Sequence, residues 1–506
     1  MMSLSSIRQS ENSMNVFRST FRSLAVALLL TAPLHLQAQS AAPRTISLAD
    51  ALTLAEKISH PLRTAEAGVL RARGQQLQAR AAYLPQINGS ANYQRTIESQ
   101  FAALSKGSSS SSTTGSTTGT GTSAPKDTSS NSIGSISKIF AAPNTVILGL
   151  TLSQNIFTAG KLDAATKSTE AARTSAELNL DAARAQLALD VARAYYDAVA
   201  SEQLTQIADS TLAQTERTLQ QTQVSRSIGA SAEFDLLRAR VSRDNQRPVV
   251  IQARGNRDVA LLRLRQLLGV SLTAPLKLTT PIRDDGVAGA EPVAVQLSQP
   301  MMLPGREAGV IADTSVAHRT SVKSAEANVT SQEFALRAAN WNRLPSIQLS
   351  SNYQRFGYPA EGTFLPNSFS QFYPNWTAAV GLSFPVFLGG KLTGDRMIAE
   401  ANFAEAKQNL AQTKELAELD ALTALTTLNQ SLAAYAASVG TDEQAAKAYS
   451  IAEVRYREGI STQVELEQSR TQYQQARLNR VQAARDLEIA RLRVALLKDL
   501  PLSTGR

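Results

Sequence analysis

The chain repeats itself, and a duplication constrains a fold more than composition does, because every assignment must hold in both halves. Residues Leu84 to Arg95 read LPQINGSANYQR and residues Leu344 to Arg355 read LPSIQLSSNYQR, identical at eight of twelve positions with an offset of 260. At that offset Ala65-Glu66-Ala67 recurs as Ala325-Glu326-Ala327. Further along, Ile156-Phe157-Thr158-Ala159-Gly160-Lys161-Leu162 is echoed by Val386-Phe387-Leu388-Gly389-Gly390-Lys391-Leu392 with an offset of 230, which Gly229 and Gly459 keep. The first half therefore carries 30 extra residues between Tyr93 and Phe157, where the Ser/Thr/Gly tract from Lys106 to Ser135 lies. That tract reads as a low-complexity loop inserted between two repeated elements.

Both halves decompose alike. Helical pattern covers Ser47 to Tyr83 and Gly309 to Arg343, each ending at a Leu-Pro pair, where the residue before proline is driven out of the helical region. A strand follows in each half. Ile87, Gly89, Ala91 and Tyr93 alternate with Asn88, Ser90, Asn92 and Gln94, and Ile347, Leu349 and Tyr353 alternate with Gln348, Ser350, Asn352 and Gln354. The partner strands alternate too, through Val146, Leu148, Leu150 and Leu152 and through Trp376, Ala378, Val380, Leu382 and Phe384. Period two with one apolar and one polar face predicts one hairpin per half, over 85–157 with a loop at 96–144 and over 345–387.

Lys161 to Ile228 and Lys391 to Glu458 are each 68 residues of Ala-rich helical pattern without proline, about 100 Å of helix at 1.5 Å per residue. Glycine turns send the chain back through 232–268 and 462–498. These return helices, laid end to end with the helix before each hairpin, nearly match the long ones, so each half offers one long column and one stacked column. The expected organisation is a signal peptide at 1–38, a first repeat at 39–269, a Pro- and Gly-rich side element at 270–316, a second repeat at 317–500 and a tail at 501–506.

Composition narrows the function class. Only 5% of the residues are aromatic, which favours long packed helices over several compact cores. The net charge of +9 comes from basic residues dispersed along helices among Glu and Asp, a solvated face and not a nucleic-acid patch. Arg18 and Arg22, the apolar run Leu24 to Leu30 and the small and polar residues to Ser40 read as a secretory signal cleaved near Ala38. No later stretch has the roughly 18 consecutive apolar residues of a membrane helix. Cysteine is absent, which excludes disulfides, thiolate metal sites and a lipid-bearing N-terminal cysteine. His35, His60 and His318 are the only histidines, too few for a histidine metal centre. Gly160-Lys161 and Gly390-Lys391 lack the earlier glycine and the following Ser or Thr of a phosphate-binding loop. No cofactor and no catalytic constellation is expected.

Four amphipathic strands cannot close a barrel alone, since membrane barrels begin at about eight strands and lipid forbids open edges. Several chains must pool their hairpins. A secreted coiled-coil scaffold or adaptor is the alternative. It accounts for the helices and leaves the two alternating hairpins unexplained.

The repeated Leu-Pro strand starts, the Phe-x-x-Gly-Lys strand ends and the turn Tyr456-Arg457-Glu458-Gly459-Ile460-Ser461 resemble the TolC family of outer-membrane efflux proteins, over Ile46 to Leu500. The resemblance implies a mostly α protomer with a small β part. In a homotrimer its long antiparallel coiled-coil helices form a periplasmic α-barrel, and its four strands contribute to a twelve-stranded outer-membrane β-barrel. It implies a passive conduit working with a periplasmic adaptor and an inner-membrane pump, in efflux or type I secretion, with loops extracellular and the element at 270–316 equatorial. It also implies that Gly229 and Gly459 turn the chain at the periplasmic tip, where an adaptor docks. By matching position, Tyr456 and Asp235 form a tip latch, with Ser461 standing where some members carry arginine. Glu465 supplies an anionic ring at the entrance, and Gln468 stands where a second acid can occur.

Overall fold

A computed structural model describes residues 44–97, 144–282, 300–302, 311–313, 316–359, 363–366 and 368–502. The signal peptide and the Ser/Thr/Gly tract expected from the sequence lie outside them. Strand β1 (Arg44–Ile46) leads into helix α1 (Leu48–Ile58), opened by a capping box in which the Ser47 hydroxyl and the Asp50 carboxylate each accept from the other's backbone N–H at 3.2 Å. Helix α2 (His60–Ala81) follows after a break at Ser59. The expected single helix over 47–83 is thus two. Pro61 has no N–H to donate back into α1, and the Ser59 hydroxyl caps the new helix by accepting from the Leu62 N–H.

The hairpin β2 (Gln86–Arg95) and β3 (Asn144–Phe157) precedes the long helix α3 (Lys161–Ser227) and its return, α4 (Glu233–Leu268). A short β4 (Leu276–Leu278) pairs in parallel with β1, and β5 (Pro300–Met302) pairs antiparallel with β6 (Ile311–Asp313). Helix α5 (Thr320–Trp341), hairpin β7 (Ser346–Gly357) and β8 (Phe372–Ser383), long helix α6 (Lys391–Arg457) and return helix α7 (Gln463–Ala495) repeat the first half. Two expected boundaries are corrected. The helix predicted from Gly309 begins at Thr320, because Ile311–Asp313 is held in a strand by β5. Strand β8 stops at Ser383 and not near 387, because Pro385 lacks the N–H that would continue the ladder.

Helices α3 and α6, each of 67 residues, run about 100 Å. On the half nearer the sheet α3 packs between α2 and α5, and α5 packs on α6; on the far half α3 contacts α4 and α7, and α7 lies along α6. The stacked columns meet at the waist. Gly269, which ends α4 with φ +61°, comes against the Ile58 side chain at the end of α1. At the other joint the Thr320 N–H donates to Lys498 O at 2.9 Å, and its hydroxyl donates to Asp499 at 2.8 Å.

The main core sits at this level, midway along both long helices, and joins Val191, Tyr195, Leu264, Leu268, Leu425, Leu428, Tyr435 and Val494. Tyr195 is fully buried; its hydroxyl donates to Ile46 O at 3.2 Å and accepts from the Thr280 N–H at 2.9 Å, tying the β1–β4 pair to α3. Tyr195→Phe leaves the Thr280 N–H without its acceptor and is expected to cost about 1–3 kcal/mol, read as a lowered thermal midpoint with the fold retained by circular dichroism.

A second feature of the waist is an ion triad. Arg319 has no exposed side-chain surface, and its Nη2 lies 2.7 Å from Asp420 Oδ2; Arg493 Nη2 reaches Asp420 Oδ1 at 2.8 Å. Arg319 Nη1 also donates to Ala417 O at 3.2 Å. Together these bonds pin the start of α5 to the middle of α6 and the end of α7.

The four long strands form one open sheet in the order β2-β3-β7-β8, antiparallel throughout. The register aligns the apolar residues of all four: Gly89 opposes Leu150, Leu150 opposes Tyr353, and Tyr353 opposes Trp376. On the other face Asn88, Thr151, Asn352 and Thr377 line up, with Thr151 donating to Asn352 Oδ1 at 3.2 Å. A bulge at Ile156 shifts the β3–β7 register before its last pair, Phe157 with Ile347. The outer edges of β2 and β8 have no partner strand among the described residues.

Candidate functional site at the helical tip

Far from the sheet, both long helices end in the same way. After α3 the Ala230 N–H returns to Ser225 O at 2.8 Å and the Gly229 N–H to Arg226 O at 3.0 Å; after α6 the Ile460 N–H returns to Arg455 O at 2.9 Å and the Gly459 N–H to Tyr456 O at 3.1 Å. Gly229 (φ +75°) and Gly459 (φ +73°) hold the left-handed conformation that such a C-terminal motif requires. A Cβ at either would meet no atom within 4 Å, so the demand for glycine is one of backbone conformation and not of space. Helix α7 then starts on a Thr462 cap that accepts from the Glu465 N–H.

The residues expected to act at the tip are brought near one another, with different partners. The Tyr456 hydroxyl lies 3.3 Å from Thr222 Oγ1 on α3 and does not bond Asp235. Asp235 instead takes part through its backbone: the Gln463 amide, in its hydrogen-bonded orientation, donates to Asp235 O at 3.0 Å and accepts from the Ala239 N–H at 3.2 Å. Ser461 donates only through its backbone, to Arg455 O at 3.3 Å, and its hydroxyl is buried without a partner. Glu465 is ion-paired with Arg455 across the turn at 2.8 Å, so its charge is locally offset. Gln468 is exposed on α7.

The stronger link between the two coiled coils is one that sequence reading missed. Arg238 on α4 pairs with Glu467 on α7 at 3.2 Å, and one turn farther Arg470 Nη2 donates to Ser242 Oγ at 2.8 Å. Burial pushes the Arg470 guanidinium down from the usual arginine range, opposed by the nearby Glu467 carboxylate. The signal was a polar stripe at helical spacing. Asp235, Arg238, Ser242 and Gln246 face Gln463, Glu467, Arg470 and Gln474, each three or four residues apart. Between the two stripes lies a groove of about 560 Å³. Among the described residues no cluster of three or more potential metal ligands occurs.

The sequence model of the outer membrane efflux protein family matches residues 51–270 and 311–497. The chain belongs to that family. Two curated relatives from Pseudomonas putida, the probable efflux pump outer membrane protein SepC and the toluene efflux pump outer membrane protein TtgF, are each 28% identical over 311 residues, 58% of this chain. The match spans 59% of each relative's length. Among solved structures the fold is similar to the Campylobacter jejuni CmeC outer membrane channel, with a TM-score of 0.67, 16% identity and coverage of 90% of this chain and 87% of that one. It is similar also to VceC of Vibrio cholerae (0.65, 18%, 89% and 96%) and to the open state of the Neisseria gonorrhoeae MtrE outer membrane channel (0.64, 20%, 91% and 91%). The family's fold, mostly helical with a small sheet part, is the one described above. No helix among the described residues is long and apolar enough to cross a membrane.

Proposed function

We propose that the protein is a trimeric outer-membrane channel, a passive conduit without catalysis that an adaptor and an inner-membrane pump open from the periplasmic side, in an efflux or type I secretion system. The observation that carries this is the open four-stranded sheet, apolar on one face and polar on the other, at one end of two helices of about 100 Å. Unpaired strand edges cannot stand in hydrocarbon, so β8 of one copy pairs with β2 of the next. Three copies pool twelve strands, which agrees with the family resemblance. The apolar face then meets lipid and the polar face the lumen. The loop ends of the strands lie outside the cell, and the described start of the equatorial element, β4 paired with β1, sits at the waist.

At the tip, the Arg238–Glu467 and Arg470–Ser242 bonds hold the α6/α7 coiled coil against the α3/α4 coiled coil, with Tyr456 and Asp235 as further latch contacts. The turns at Gly229 and Gly459 and the groove beside them offer the adaptor its contact. Cargo selection falls to the pump and adaptor. The test is reconstitution of the purified protein in planar bilayers with chemical cross-linking: discrete conductance steps from a cross-linked trimer are expected, and a water-soluble monomer that makes no steps would overturn the reading.

The entrance carries opposed charges. Three copies of Glu465 form an anionic ring, each offset by Arg455, with the neutral Gln468 one turn on. Glu465→Gln is expected to lower the cation-to-anion permeability ratio and Arg455→Gln to raise it, measured as opposite shifts of the reversal potential in a salt gradient.

A further inference from the structure

The sheet that the proposed function sets in the membrane carries two charges and no more. Across β2, β3, β7 and β8 there is no Asp, Glu or Lys, only Arg95 and Arg355. They are copies of one another, the last residue of the duplicated Tyr-Gln-Arg motif, and both stand near the loop end of their hairpin. Arg355 opposes Leu148 and Pro374, so it lies on the apolar face, where a charge is costly unless something answers it.

No carboxylate answers it within the described residues. The Arg355 Nε donates to the Tyr353 hydroxyl at 2.8 Å and the guanidinium stacks on Phe369 at 4.3 Å from the ring centroid, while its two Nη groups have no acceptor there. The guanidinium is therefore held in place through Nε and its ring stack, with its Nη donors free among the described residues.

Beside it the apolar face is hollowed. Gly89 and Ala91 on β2 leave a furrow of about 530 Å³ against Leu148 and Leu150, bounded by Tyr353 and Arg355 and covered at one end by Phe369. The furrow is a property of residue size and not of backbone strain: Gly89 has no positive φ, and a Cβ there would meet Leu150 Cδ2 at an ordinary 3.7 Å.

We propose that this furrow takes one acyl chain of a phosphate-bearing glycolipid of the outer leaflet, whose phosphate sits on the free Nη donors of Arg355. The complementarity is of two kinds at once, a hydrocarbon trough and a fixed planar cation at its loop end, and arginine suits phosphate through paired donors. The inference rests on the reading that the sheet spans the outer membrane with its loop end outward.

The test is native mass spectrometry of the detergent-extracted protein with added bis-phosphorylated lipid A, its dephosphorylated form, or phosphatidylglycerol. Retention of the phosphorylated glycolipid is expected over both others. Arg355→Gln is expected to weaken it by about tenfold or more, as for loss of a charge-assisted hydrogen bond, with Arg355→Lys recovering part. Gly89→Leu is expected to abolish retention by filling the trough. Equal retention of the dephosphorylated lipid or of phosphatidylglycerol, or no change in Arg355→Gln, would overturn the proposal. So would a Gly89→Leu protein that loses its oligomer and keeps its lipid, which makes the furrow a seam for a neighbouring copy's strand. Conductance in lipid-free block-copolymer films separates the two readings: a wild type that conducts yet ignores the phosphate sinks only the lipid site, whereas one that never conducts sinks the channel first.

Discussion

Asp420→Ala is expected to destabilise the protein by about 3–5 kcal/mol, the cost of leaving a buried charge without its partner. The carboxylate holds Arg319 at 2.7 Å and Arg493 at 2.8 Å, and the Arg319 and Asp420 side chains are 0% and 5% exposed. With the carboxylate gone, Arg319 keeps one acceptor, Ala417 O, in a site that water does not reach. Arg493 is 26% exposed and can turn to solvent, so Arg493→Ala is expected to cost much less. Because Arg319, the N-cap residue of α5, links the start of that helix to the middle of α6, the damage falls on the waist, where the stacked column must match the long helix. The double variant Arg319→Met with Asp420→Leu removes both charges and is expected to recover most of the loss, since apolar replacement of a buried pair is often close to neutral. Thermal unfolding of the detergent-solubilised protein, with Arg319→Met, Asp420→Leu and the double variant as a cycle, measures this coupling.

Removing the tip clasp is expected to act more on function than on stability. In Arg238→Ala with Glu467→Ala the α4–α7 ion pair is lost, while the turns at Gly229 and Gly459 and the Thr462 cap are untouched. The pair is partly screened, with side chains 34% and 17% exposed, so about 1–2 kcal/mol is the fair allowance after discounting for solvent. If closure of the proposed entrance depends on this contact, that amount moves the closed-to-open ratio by about five- to thirty-fold. The expected result is larger and longer-lived open steps in bilayers, with only a small drop in the thermal midpoint. Arg470→Ala is expected to act in the same direction through the lost bond to Ser242, and Tyr456→Phe, which loses only a 3.3 Å contact with Thr222, to act weakly. A double variant that conducts like wild type would show that the clasp does not hold the entrance shut.

The chain's periodicities, read without any structure, determined which segments are helices and strands and which strand faces are apolar. These are local properties: period two and period 3.6 are written in consecutive residues, and a duplication lets each half check the other. Thus Gly229 and Gly459 mark the two tips, and α3 and α6 each start at the lysine after the repeated glycine. The failures are also local in origin: Ser59-His60-Pro61 was read through as helix, and the three-residue strands β1, β4, β5 and β6 are too short to show any period.

Only the tertiary structure decided which polar groups meet. Arg319 and Asp420 are 101 residues apart, and Arg238 and Glu467 are 229 apart; neither pair shares a helix. Their meeting depends on how far each helix is rotated and which column lies beside which, and an Ala-rich helix about 100 Å long offers many nearly equivalent rotations. The same freedom explains why Tyr456 found Thr222 and not Asp235, and why Glu465 turned back to Arg455 across its own turn. An amphipathic pattern names the face of a helix, and packing alone selects the partner on that face.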